Sequence, residues 1–221
     1  MTLLQNKKLS SEDLLNLREK TKREISVPNS QRVYKLFNAF YLGLSVTDVH
    51  ELTKIDKWFL THLQKIVEMS KQLQELVITE FTLLQASGSL EKISTEKFIE
   101  IVLSPEKLLE YKKAGFSDKQ ISLLISTCIK TNKKQIRNLR SKYRIRPVYK
   151  TIDTCAGEFE SYTPYYYSSY EQEDEIIPSL KEKVFILGGG PNRIGQGIEF
   201  DYCCVQASQA LREAGFETVM I

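Results

Sequence analysis

The chain has 221 residues, 42% of them apolar and 27% charged, with a net charge of +3. This is ordinary globular composition, and it excludes a chain dominated by polar or low-complexity tracts. No run of about 18 apolar residues occurs, so no membrane-spanning helix is expected.

The small net charge conceals an asymmetry. Residues 1–150 carry 27 Lys/Arg against 16 Asp/Glu, and residues 151–221 carry 4 against 12. The two parts are expected to attract each other, or each to face a partner of opposite sign. Four cysteines stand at 128, 155, 203 and 204, without a C-x-x-C pair, and there are two histidines, His50 and His62. That inventory argues against a zinc site, and no metal ligands are expected. Adjacent Cys203 and Cys204 read as small buried side chains in a reducing compartment. The first residues, MTLLQNKKLSSEDLL, lack the apolar core of a signal peptide, so the expected location is the cytoplasm.

Residues 1–146 read as all helix. Ser10 with Asp13 is a capping-box start for a helix to Glu24, and residues 1–26 form a poorly defined N-terminal element. A helix opened by Pro28 carries Val33, Leu36, Phe37 and Phe40 at i, i+3, i+4, i+7, a stripe expected to be buried, and Gly43 stops it. Ser45 and Asp48 cap a short helix to Thr53, and Asp56 caps a long one. The stripe of the long helix is Phe59, Leu60, Leu63, Ile66, Val67 and Leu73. Trp58, the sole tryptophan, is expected to be its most valuable buried side chain.

The stretch Thr79 to Leu103 is less regular, with a loop at Ala86 to Ser89 and a helical piece through Phe98 and Ile101. Ser104-Pro105-Glu106 starts the next helix, which ends at Gly115. Ser117 and Gln120 cap another, with Ile121, Leu124 and Ile125 inward. Thr131 opens the last helix, with Ile136, Leu139 and Tyr143 on one side and Lys133, Arg137, Arg140 and Arg144 on another. A basic final helix could bind nucleic acid, but charged helix faces are more often solvated, and no nucleic-acid partner is expected.

Arg146-Pro147 ends the helices. Residues 147–180 read as an extended belt, with an acidic run from Glu171 to Glu175. Six Tyr or Phe lie between Phe159 and Tyr170, which is too aromatic for a disordered linker. The rings are expected to pack the belt into a groove.

Residues 181–221 read as one βαβ unit: an apolar run at Lys183 to Leu187, the turn GGGPNRIGQG, a helical pattern to Gly215, and a second run at Glu217 to Ile221. The fold class expected for the chain is α + α/β: an all-helical domain over residues 27–146, the belt, and an incomplete, Rossmann-like βαβ unit. A glycine-rich turn between strand and helix aims backbone N–H groups at a positive helix end, which suits an anion. The turn offers Gly188, Gly189, Gly190, Asn192, Arg193, Gly195, Gln196 and Gly197, with Glu199 and Asp201 just inside the helix. Its spacing matches neither G-x-x-x-x-G-K-[ST] nor G-x-G-x-x-G. Read from spacing alone, it is either a small-anion surface or a structural turn with Arg193 paired to a carboxylate.

The stretch LGGGPNRIGQGIEFDYCC, continuing to ALREAGFETVMI, resembles the start of the second synthetic half of the carbamoyl-phosphate synthetase large subunit. RPVYKTIDTCAGEFE and TPYYYSSYEQEDE before it, and VHELTKIDKWFL further upstream, resemble the same family, and Thr79 to Leu103 departs from its pattern. The resemblance implies that residues 27–146 are the helical oligomerisation domain and that residues 181–221 open a pre-ATP-grasp domain. It implies a carbamate tunnel lined by Arg193, Gly197 and Glu199, beside the structural turn of Gly188, Gly189, Gly190, Asn192, Gly195 and Gln196. The full enzyme would make carbamoyl phosphate from bicarbonate, glutamine-derived ammonia and two ATP, for arginine and pyrimidine synthesis. Its partners would be the remaining large-subunit segments, a glutaminase small subunit and further copies of itself. ATP and Mg or Mn would serve that enzyme, with no cofactor held by this stretch. No catalytic residue of either ATP-grasp half matches a position here, so the chain alone is expected to be inert: a split-gene product, an excised piece or a remnant. A non-catalytic adaptor using the glycine turn is the alternative.

Overall fold

The computed structural model describes residues 10–162, 165–188 and 198–221, and only the backbone of Ile198 to Asp201. The chain falls into two compact units, Met1–Asp174 and Glu175–Ile221.

The first unit is built on helices α1 (Ser11–Ser26), α2 (Arg32–Tyr41), α3 (Val46–Thr53), α4 (Lys57–Ala86), α5 (Thr95–Val102), α6 (Pro105–Lys113), α7 (Asp118–Ile125) and α8 (Lys133–Lys142). Their starts are set locally. The hydroxyls of Ser10, Ser45 and Ser117 accept the N–H groups of Asp13, Asp48 and Gln120, whose side chains accept the cap N–H in return. Each reciprocal pair satisfies two donors that a helix start otherwise leaves free. The last helix is capped by Asn132 in the same way, one residue beyond the Thr131 expected from sequence.

The spine is α4. It continues unbroken for 30 residues, so the irregularity expected from Thr79 onward begins only after Ala86. Its first half supplies Leu60 and Val67 to a core shared with Ile25, Leu36, Ala39, Phe40, Leu44 and Val49. Its second half supplies Met69, Leu73 and Val77 to a larger core with Phe98, Ile99, Val102, Leu108, Phe116, Ile121, Leu124, Ile125 and Ile136. Fully burying one such side chain contributes roughly 1.5–3 kcal/mol, so these two clusters carry the helical body. The end of α1 is built into the first of them. Ile25 is fully buried, and the Arg32 Nε–H donates to its carbonyl at 2.7 Å.

Trp58 does not join either core. It is 63% exposed, and Phe59 beside it is 58% exposed. Asp56 accepts the Trp58 N–H at 2.8 Å and so sets the phase of α4. With Leu60 inward, a residue two positions earlier lies about 200° round the helix. Trp58 instead contacts the rings of Phe59 and His62, at 4.9 and 4.4 Å between centroids. Val33 shares the helix face of Leu36 and Phe40 but sits in the first turn of α2, and it is half exposed while they are buried.

After α8 the chain forms an antiparallel ribbon. Strand β1 (Val148–Thr151) pairs with β2 (Tyr166–Ser169), Val148 opposite Ser169 and Thr151 opposite Tyr166. The belt expected here is therefore partly a β-ladder, and its rings are not packed away. Phe159, Tyr162, Tyr165, Tyr166 and Tyr167 are all exposed, and only Tyr170 is drawn into the larger core.

In the second unit β3 (Lys183–Ile186) pairs in parallel with β4 (Glu217–Met220), and α9 (Ile198–Glu213) connects them. This is the βαβ unit read from the sequence. Gly215, at φ +92°, takes the left-handed conformation that ends α9, and the Phe216 N–H returns to the Leu211 carbonyl at 3.0 Å. Phe185, Leu187, Tyr202 and Ile221 remain exposed on this unit. Cys203 is also exposed, contrary to its reading as a buried side chain, because among the described residues only two strands stand beside α9. No described helix is long and apolar enough to cross a membrane.

Candidate functional site

In an open parallel sheet, ligands meet the chain at the carboxyl ends of the strands. Here those ends are Ile186 and Met220. The ladder runs slightly past them: the Ile221 N–H donates to the Ile186 carbonyl at 3.0 Å, and the Gly188 N–H to the Ile221 carbonyl at 2.9 Å. Gly188 is the last described residue before the glycine-rich stretch, and it is tied to the sheet. Described structure resumes at Ile198, the start of α9. A strand end and a helix start therefore flank the glycine-rich stretch, the setting in which backbone N–H groups can accept an anion. The opposite end of the sheet is closed by polar contacts. Ser179 donates to the Glu217 carboxylate, and the Lys183 ammonium lies 3.7 Å from it. These partners, Ser179 first, hold the Glu217 carboxyl below the usual carboxylate range.

Of the site residues expected from sequence, Gly188 has the position just given, and Glu199 lies in the first turn of α9 with its side chain outside the described set. Gly189, Gly190, Asn192, Arg193, Gly195, Gln196 and Gly197 lie outside the described residues. Among the described residues there is no group of three or more His, Cys, Asp or Glu that could hold a metal ion.

The basic stripe of α8 is broken at its centre. Arg140 faces inward, donating from Nε and Nη2 to the two oxygens of Asp118 at 3.2 and 3.0 Å, and from Nη1 to the Ile145 carbonyl at 3.2 Å. Lys112, only 8% exposed, donates to the Phe116 carbonyl at 2.6 Å and to Asp118 at 3.1 Å. Burial alone would raise the Asp118 carboxyl, but the hydrogen bonds and charges of Arg140 and Lys112 outweigh it and hold it below its ordinary value. In return Asp118 raises the Arg140 guanidinium. Sequence reasoning missed this cluster. One signal was available: Asp118 is the sole acid between Glu110 and Asp153, in a stretch rich in Lys and Arg.

A shallow groove between α5 and α8 has a floor of Ile99 and Leu139. Most of its polar rim is paired, Gln135 donating to Glu96 at 2.8 Å and Lys142 to Glu100 at 2.5 Å, which leaves Asn138 as the remaining polar side chain of the lining. Those bonds leave the groove no convergent set of open polar groups for a small ligand.

The chain thus carries an all-helical body followed in sequence by a parallel strand–helix–strand unit. Residues 3–89 match the family model described as carbamoyl-phosphate synthetase large chain, oligomerisation domain. Residues 180–221 match the carbamoyl phosphate synthase preATP-grasp domain. Similar over 203 residues, 92% of this chain, are the carbamoyl phosphate synthase large chain of Nostoc sp., at 42% identity, and that of Archaeoglobus fulgidus, at 41%. The arginine-specific, chloroplastic large chain of Oryza sativa subsp. japonica is 45% identical over the same length. The chain covers 16%, 17% and 15% of these proteins respectively, about one sixth of their length. This chain belongs to the carbamoyl phosphate synthase large-chain family, over the stretch from the oligomerisation domain into a preATP-grasp domain.

Proposed function

We propose that the chain serves as the joint of a carbamoyl phosphate synthase large chain: an oligomerisation module coupled to the opening of the carbamoyl-phosphate-forming half. The parent enzyme would be a ligase making carbamoyl phosphate from bicarbonate, glutamine-derived ammonia and two ATP, with Mg or Mn, for arginine and pyrimidine synthesis in the cytoplasm. The observation that carries this reading is the pair of separate matches to two domains of one large chain, one on the helical body and one on the βαβ unit.

The bare βαβ unit supports it. A parallel sheet is normally covered on both faces and extended at its edges, whereas Phe185, Leu187 and Ile221 here stand in solvent. Further strands and helices from the rest of a large chain would cover them. Arg193, Gly197 and Glu199 would then line a carbamate passage, with small residues giving it bore and paired charges holding the anion. The chain alone would have no synthetic activity, because the ATP, metal and bicarbonate ligands belong to other segments.

Complementation tests this. The chain is mixed with separately expressed flanking ATP-grasp segments and a glutaminase subunit, and carbamoyl phosphate is measured. Product only with all pieces present is expected. No product from a soluble, folded mixture refutes the joint.

A further inference from the structure

The ribbon leaves and rejoins the helical body at neighbouring places. It leaves after α8, where Ile145 is buried in the larger core. It returns at Tyr170, which packs against that same core with its ring 5.4 Å from the Lys112 ammonium. Lys112 is held for this contact by the Phe116 carbonyl and Asp118, and Asp118 is fixed in turn by the two-pronged bond from Arg140. Two cations share one carboxylate here, so one positive charge is left over, and the electron-rich face of Tyr170 lies over it. An ammonium within about 6 Å of a ring centroid is attracted by the ring quadrupole, more strongly when partly desolvated.

We infer that the Lys112–Asp118–Arg140 cluster is an intramolecular docking site, that its occupant is the ring of Tyr170, and that this contact fixes the returning strand of the ribbon to the helical body. The ribbon of β1 and β2 is then pinned at both ends. The contact is ring-on-cation and apolar, so the ring and not its hydroxyl does the anchoring. A pinned ribbon presents Tyr149 and Tyr166 on one of its faces and Tyr167 on the other, all three exposed.

Hydrogen exchange on the whole chain tests the anchor, comparing amides of Val148–Thr151 and Tyr166–Ser169 with those of α7. Tyr170→Ala is expected to speed ribbon exchange by about tenfold and leave α7 unchanged. Tyr170→Phe should match the parent chain, Tyr170→Leu should lie between Phe and Ala, and Lys112→Met should speed ribbon exchange several-fold. The anchor is refuted if Tyr170→Ala leaves ribbon exchange unchanged, or if it speeds α7 exchange equally. It is also refuted if Tyr170→Phe exchanges as fast as Tyr170→Ala.

Discussion

Asp118 and Arg140 stand 22 residues apart in sequence and are joined by two parallel N–H···O bonds of 3.2 and 3.0 Å. Asp118 opens α7 and Arg140 lies near the end of α8, so this one pair fixes how the two helices cross. Because Lys112 of α6 shares the carboxylate, three consecutive helices converge on one side chain.

Removing that carboxylate charge is therefore costly. Asp118→Asn leaves Lys112 and Arg140 facing each other without an anion. The expected loss is about 2–3 kcal/mol, below the roughly 3–5 kcal/mol for breaking a fully buried ion pair, because the groups keep some solvent contact. Urea unfolding followed by circular dichroism measures it, and a change below about 0.5 kcal/mol would show the pair to be ornamental.

The same carboxylate predicts an acid-sensitive stability. Its folded pKa lies below its ordinary value. A depressed carboxylate pKa contributes stability that is present above the unfolded value, about pH 3.9, and is lost as pH falls through the folded value. The Arg140 guanidinium, raised by Asp118, stays charged across this range. The difference in stability between the parent chain and Asp118→Asn should be constant from pH 5 to 7 and narrow below about pH 4. A difference that stays constant down to pH 2 would contradict it.

Aromatic truncations should rank in an order opposite to side-chain size. Phe98 is fully buried in the larger core, with its ring edge-on to Phe81. Phe98→Ala should cost about 3–5 kcal/mol, from lost transfer energy plus a cavity. Trp58→Ala, on the exposed flank of α4, should change folding stability by less than about 0.5 kcal/mol. Thermal melts of the two variants against the parent decide the ranking.

Gly115 ends α6 at φ +89°, with the Phe116 N–H returning to the Tyr111 carbonyl at 3.0 Å. Alanine there meets no steric obstacle from neighbours, since nothing lies within 4 Å of its Cβ. Its cost is the left-handed backbone itself, about 1–2 kcal/mol. Chemical denaturation of Gly115→Ala should show that loss with an unchanged denaturant slope.

The exposed sheet of the second unit should register in solution. Phe185 and Leu187 offer an apolar surface to dyes that report such patches. The whole chain should enhance anilinonaphthalene sulfonate fluorescence, and Phe185→Ser with Leu187→Ser should remove most of the gain. An unchanged signal in the double variant would place the patch elsewhere.

Helix starts were legible in the sequence because capping is local. Ser45 and Asp48, or Ser117 and Gln120, meet across three residues whatever the rest of the chain does. The βαβ order was legible because strand, glycine, helix and strand signals follow one another without interruption, and the family of the chain was legible in VYKTIDTC and in the glycine-rich stretch. The candidate site was legible only as a motif: of its residues the structure ties down Gly188, at the end of the ladder.

Tertiary structure alone decided what faces what. Trp58 and Leu60 share a helix and differ by two positions. Only the neighbours that α4 meets determine that the leucine is inside and the tryptophan outside. Arg140 belonged by spacing to a basic stripe, but a carboxylate on another helix turned it inward. Tyr170 was one ring among six, and it is set apart by the buried ammonium at 5.4 Å. Hydrogen bonds within one turn are fixed by chain geometry, so sequence determines them. Burial and ion pairing between helices depend on which surfaces the fold brings together, and a linear pattern does not contain that.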